Sequence, residues 1–340
     1  MPEYAILISP GHNRVYYKES LKLALGELMI AADRMRAHPK NIQIEYIADL
    51  PYCTFETAAP LKPGDITVLS RLSFLFALFE AVQTKAQRLL APVQTDARPY
   101  IDEKITSILK YKGKTNEQFT KLLVGAAWLA GGRREDARLL DPMAGKGTTL
   151  LTGMTRGMDV FGIEKRKAFA HDGKAFLKKY LQDERIKHQT DTRTVNDKRG
   201  KAIGRGTRFT YANTKEAFKA GQTKTYEMIE GDAQHADVYY ANTFFDMIAA
   251  DLPYGVQHAS KQGAGIARSP EDLLKGCLPA WHDVLKNGGA MVLAYNTKTL
   301  SKNKMADLLG HFGFTILHDD IDFSHYVDVS ILRDIVVAVK

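Results

Sequence analysis

The sequence predicts an α/β fold with a mostly parallel sheet, preceded by a small α+β domain. From residue 138 onward, apolar runs of strand length alternate with amphipathic stretches of helical length, the pattern of consecutive strand–helix units. Before residue 90 the two signals alternate less regularly, and a polar, Pro-containing stretch over 91–102 separates the regions. At 340 residues, 45% of them hydrophobic, the chain can bury more than one core. The domains are therefore drawn at 1–98 and 99–340.

In the first domain, residues 4–8, 42–47 and 66–69 read as strands and 20–32 as an amphipathic helix. The run 71–79, with Phe74, Phe76 and Phe79, has the look of a base-stacking platform, but such runs are more often buried, and it is read as core. In the second domain Thr115-Asn116-Glu117-Gln118 matches a capping box, followed by helically spaced apolar residues until Gly131-Gly132. Strands are then expected at 139–141, 160–163, 228–229, 247–250 and 290–294, with a terminal pair at 314–317 and 335–339. Residues 185–224 break the alternation: eleven Lys or Arg stand there against three acids, a net +8 equal to that of the whole chain.

That charge, with a pI near 9.2, favours anionic partners, nucleic acid or an acidic membrane surface. The apolar run 5–8 is too short for a signal sequence or a spanning helix, so a cytoplasmic protein without a membrane partner is expected. Cys53 and Cys277 are far apart and lack metal-ligand spacing, so buried thiols are expected and no metal site.

The chemistry concentrates in Leu139-Leu140-Asp141-Pro142-Met143-Ala144-Gly145-Lys146-Gly147-Thr148, a buried strand, a glycine-containing turn and a helix start, where open α/β sheets bind ligands. A Walker phosphate loop needs glycine where Leu140 stands and Ser or Thr where Gly147 stands. A dinucleotide fold would have its third glycine at Leu150, and Asp141 would repel the pyrophosphate. S-adenosyl-L-methionine carries no phosphate but has an ammonium and a sulfonium, which an acid at a strand end favours. Glu164, twenty-three positions after Asp141, ends the next strand and can hold both ribose hydroxyls. Asp232 follows the third strand and can accept from the adenine amine while Ala233 packs the ring.

The fourth strand ends in Asp251-Leu252-Pro253-Tyr254-Gly255. An exocyclic amine of a nucleobase is a poor nucleophile because its lone pair is delocalised into the ring, and it must be oriented before it can attack a methyl group. The Asp251 carboxylate and Leu252 carbonyl can accept its two hydrogens, Pro253 stiffens the turn, and Tyr254 offers a stacking face for an extruded base.

These two motifs, Asp141 to Thr148 and Asp251 to Gly255, resemble the tRNA guanine N2-methyltransferases acting at guanosine ten, within the wider Asp-Pro-Pro-Tyr amino-methyltransferases. The resemblance covers roughly residues 105–340. It implies a Rossmann-like class I methyltransferase fold with a seven-stranded sheet, S-adenosylmethionine as cofactor and RNA, tRNA in particular, as partner. It implies that Asp141, Pro142, Ala144, Gly145, Gly147, Thr148, Glu164, Asp232 and Ala233 bind the cofactor, and that Lys112, Thr115 and Asn116 approach its methionine end. Asp251, Leu252, Pro253 and Tyr254 would hold the base. Leu252 stands where the family has its first proline, and residues 4–32 only loosely resemble the ferredoxin-like domain that precedes the RNA-binding module of those enzymes. The expected reaction is direct displacement, in which Asp251 orients more than it abstracts, with the basic insertion tracking phosphates. Two rival readings are DNA adenine N6 or cytosine N4 methylation and a non-catalytic RNA-binding protein that kept the fold.

Overall fold

The structure, a computed structural model, describes residues 1–10, 14–95, 98–111, 113–253 and 269–340, and of 14–18 the backbone only. The chain forms two compact units: Met1–Arg98 with His318–Asp334, and Pro99–Leu317 with Ile335–Lys340. The expectation of one continuous second domain from 99 to 340 is thereby corrected, since residues 318–334 belong to the first unit.

In the first unit the order is β1 (Glu3–Ile8), α1 (Arg14–Ala32), β2 (Lys40–Ile47), β3 (Leu50–Glu56), α2 (Pro63–Ser70), β4 (Leu75–Gln83) and β5 (Arg88–Val93). The strands form an antiparallel sheet in the order β2-β3-β1-β4-β5, so the first four make the β-α-β-β-α-β arrangement of ferredoxin-like folds. Residues 66–69, expected as a strand, lie in α2, which Pro63 opens at a position where its missing N–H costs nothing. The linker expected over 91–102 begins later, because β5 carries Pro92 on the sheet edge, where proline is tolerated. Of the aromatic run, Phe74 is buried while Phe76 is 64% exposed, so the core reading holds for only part of it. Both cysteines are buried, and neither is in a disulfide among the described residues.

The second unit opens with α3 (Lys104–Ile108) and α4 (Glu117–Ala130), then β6 (Arg138–Asp141), α5 (Thr148–Thr155), β7 (Asp159–Glu164), α6 (Lys167–Asp183), β8 (His188–Asn196), β9 (Ala202–Tyr211), α7 (Lys215–Lys219) and β10 (Lys224–Gly231). It continues with α8 (Ala236–Tyr239), β11 (Phe245–Asp251), α9 (Pro270–Val284), β12 (Leu285–Asn296), α10 (Lys302–His311) and β13 (Thr315–Leu317). Then β14 (His325–Asp328), of the first unit, leads to the last strand, β15 (Ile331–Val339).

The sheet runs β13-β15-β12-β11-β6-β7-β10-β9-β8, with β14 paired to β15 as its tenth strand. The seven expected strands are all in it, but the sheet is mixed rather than mostly parallel: β7, β10, β6, β11 and β12 run parallel, whereas β9, β8 and the terminal strands pair antiparallel. Of the three additional strands, β8 and β9 are the basic insertion. Phe209 and Tyr211 are buried on one face of this hairpin and Val195 on the other, between exposed Thr and Arg residues. Among the described residues no helix is long and apolar enough to cross a membrane.

Candidate functional site

The parallel strands are largely apolar because both faces are covered, and apart from Glu227 in the middle of β10 their polar residues stand at or near their ends. Register then fixes which ends meet. Asp141 pairs with Gly162, placing Glu164 two residues past it on β7, and Glu164 pairs with Glu230 on β10, two residues short of Asp232. On the other side Leu140 pairs with Ile248, so Asp251 ends β11 beside the same turn. Asp141, Glu164, Asp232 and Asp251 thus stand at one edge of the sheet.

The turn between β6 and α5 is held by its own carboxylates. Asp141 Oδ1 accepts from Met143 N at 2.9 Å, Glu164 Oε2 accepts from Gly145 N at 2.8 Å, and Glu164 Oε1 accepts from Arg166 N at 2.7 Å. Ala144 N donates to Ile163 O at 3.0 Å, and Pro142 is buried between. Gly147, at φ +93°, caps α5 in the left-handed region, and a Cβ there would stand 2.9 Å from the Tyr226 hydroxyl. Gly145, at φ +55°, faces open space. Thr148 Oγ1 lies 3.1 Å from the Tyr111 hydroxyl. The Lys146 ammonium sits 2.7 Å from Asp172 Oδ2 and over the rings of Tyr111 and Phe169, so it fastens the turn to α6.

Burial pushes the Asp141 carboxyl up to about 7, and the neighbouring Glu164 and Asp251 push the same way, against hydrogen bonds from Thr149 and Met143. A buried acid that resists ionisation beside two other carboxylates is suited to a cation, and a sulfonium with an ammonium is one. The Tyr226 hydroxyl beneath, buried and without a hydrogen-bond partner among the described residues, is also pushed up by burial and by Asp141. An open cradle over Gly145 and a crowded acidic floor therefore fit S-adenosylmethionine better than any phosphate.

Asp232 is partly occupied: its Oδ1 accepts from Gln234 N at 3.1 Å and its Oδ2 pairs with the exposed Lys165 at 2.8 Å. Ala233 opens a short 3-10 turn that is 8% exposed at this residue and anchored by Trp281 Nε1 donating to its carbonyl at 3.1 Å.

The capping assignment shifts by one residue. Asn116, not Thr115, caps α4, its side chain accepting from Gln118 N and Phe119 N, because its extended backbone places the short amide over those donors. Thr115 is thereby left to donate to Asp251 Oδ2 at 2.7 Å. Neither Thr115 to Asp251 nor the Tyr226 floor was foreseen; the first had a trace in the threonine preceding a cap, and the second none.

Leu252 has a structural reason to depart from proline: its N–H donates to Ala294 O at 2.9 Å, continuing the β11–β12 ladder, and its side chain is buried in the core. Proline would lack that donor. Pro253 follows, exposed. Tyr254 and Lys112 lie outside the described residues.

Solved structures similar to this chain include TrmN from Thermus thermophilus, at 16% identity over 74% of this chain and 56% of that one, TM-score 0.38. An S-adenosylmethionine-dependent methyltransferase from Clostridium acetobutylicum follows at 10% identity over 67% and 93%, TM-score 0.40. Magnesium protoporphyrin IX methyltransferase from Synechocystis, with bound SAM, matches at 12% over 68% and 86%, TM-score 0.39. The chain spans 56% of the length of the first. No curated protein matches it in sequence. The methyltransferases it is similar to depend on S-adenosylmethionine, the cofactor expected from the strand-end acids. Residues 120–309, more than half of the chain, match the RMKL-like methyltransferase domain family UPF0020, and the chain belongs to that family.

Proposed function

We propose that this protein transfers a methyl group from S-adenosylmethionine to an exocyclic amino nitrogen of a nucleobase in RNA, with N2 of guanine in tRNA as the target. The observation that carries the reading is the register of β6 against β11, which sets Asp141 and the Asp251-Leu252-Pro253 turn at one sheet edge. The cofactor supplies an electrophilic methyl on a sulfonium. Asp141 and the Gly145 turn hold its charged end, Glu164 the ribose hydroxyls, and Asp232 with Ala233 the adenine. Asp251, steadied by Thr115, orients the base amine, with the Leu252 carbonyl as second acceptor and Tyr254 as stacking face. The nitrogen loses its proton only after alkylation, so no strong base is required of the chain.

Methyl incorporation into tRNA and into duplex DNA, followed by mass spectrometry of the nucleosides, tests this. N2-methylguanosine from tRNA is expected. Label in DNA alone would replace the reading with adenine N6 or cytosine N4 methylation, and RNA binding without cofactor binding would leave a non-catalytic module.

A further inference from the structure

The basic insertion is a folded hairpin, and its charge is not uniform. Arg193 and Arg208 turn to the fully buried Glu227 on β10, at 2.8 and 3.4 Å, and so fasten the hairpin rather than serve a ligand. Arg185, Lys187, Lys215 and Lys219 flank the end where Lys224 pairs with Tyr211, the amino end of β10. The remaining cations, Lys198, Arg199, Lys201 and Arg205, lie at the other end.

That end is the site end. Gly231 pairs with Gly204, and Gly204 with Val195, so the turn at 197–201 projects past the level of Gly231, where β10 hands over to Asp232. The turn is rigid. Asp197 Oδ1 accepts from Arg199 N and Lys201 N, each at 2.9 Å, Asp197 N donates to Lys201 O at 2.8 Å, and Gly200 takes φ +80°. The one acid of the turn is thus absorbed by backbone donors, while Lys198, Arg199, Lys201 and Arg205 are exposed with no ion pair among the described residues. Basic residues that merely guard a sheet edge would line the edge strand, yet β8 carries only Arg193, which faces Glu227.

We propose that this hairpin tip is a phosphate clamp that grips the RNA backbone flanking the target nucleotide. The inference rests on the RNA reading above. Cations on a preorganised turn lose little freedom on binding, and each phosphate neutralised releases counterions.

The test is a triple variant, Lys198→Ala, Arg199→Ala and Lys201→Ala, against the control Lys215→Ala and Lys219→Ala at the opposite end. The tip variant is expected to raise the KM for tRNA about tenfold or more at 0.15 M salt and to make log KM against log salt shallower by about 2. Its kcat and its calorimetric affinity for S-adenosylmethionine should match wild type, and the control should keep its KM. A wild-type protein that methylates no RNA overturns the proposed function and this inference with it. A wild type active on tRNA, with a tip variant no worse than the control, overturns this inference alone.

Discussion

Thr115 Oγ1 donates to Asp251 Oδ2 at 2.7 Å, joining the residue before the cap of helix α4 to the end of β11, 136 positions later. The family resemblance implies that Thr115 approaches the cofactor's methionine end; its hydroxyl hydrogen goes to the carboxylate proposed to orient the base. Thr115→Val keeps the shape and removes the donor. It should lower kcat about ten- to a hundredfold while leaving the KM for S-adenosylmethionine within about twofold, and Thr115→Ser should restore most of the rate. A raised cofactor KM with unchanged kcat would return Thr115 to the cofactor.

Asp141 gives a pH dependence with opposite signs for stability and binding. Its carboxyl is raised from 3.8 to about 7 in the folded chain, so the folded state holds a proton that the unfolded state releases. Its contribution to stability therefore falls as pH rises from about 4 to about 7. A cationic cofactor prefers the ionised acid, so affinity should climb by up to about tenfold per pH unit below 7 and level off above it. Calorimetry and thermal melts from pH 5 to 8 check both. Asp141→Asn should flatten the binding profile, weaken cofactor binding throughout, and lose less stability than wild type on going to pH 8.

What could be read ahead of the structure was whatever burial on both faces makes apolar. Strands β6, β7, β11 and β12 announce themselves by their apolar runs, and the acids that end β6, β7 and β11 stand out because two to four apolar or glycine residues directly precede each. β8 and β9 are illegible because one face buries only Phe209 and Tyr211 while the other turns Arg193 and Arg208 to the buried Glu227, so their residues read as a charged loop. The start of β10 was missed for the same reason: Lys224, Thr225 and Glu227 look like the end of the insertion. The membership of residues 318–334 in the first unit leaves no local mark either. It depends on long-range packing, with Phe323 and Ile321 lying against Gly26, where a Cβ would come within 2.6 Å of the ring.

Glu227 should govern the hairpin. It is fully buried, and its partners Arg193 and Arg208 are 39% and 45% exposed, so solvent screens part of the attraction. Glu227→Gln is expected to cost about 1–3 kcal/mol, less than a fully buried ion pair would. The loss should be local: hydrogen exchange across residues 188–211 should quicken while β6 and β7 stay protected. Equal exchange in both regions, before and after substitution, would mean the cluster does not hold the hairpin.

Gly147 and Tyr226 make the last prediction, a coupled pair. Gly147→Ala meets two penalties, a left-handed φ of +93° and a Cβ 2.9 Å from the buried Tyr226 hydroxyl. The first costs about 1–2 kcal/mol for any L side chain, and the second exists only while the hydroxyl is there. That hydroxyl has no hydrogen-bond partner among the described residues, so Tyr226→Phe alone should be neutral or mildly stabilising. In the double variant the clash is relieved and the backbone penalty remains. Thermal or denaturant unfolding of all four proteins should therefore give a coupling of about 0.5–3 kcal/mol in favour of the double variant. Strict additivity would show that the added methyl group relaxes away from the tyrosine and that the floor of the site is softer than its packing implies.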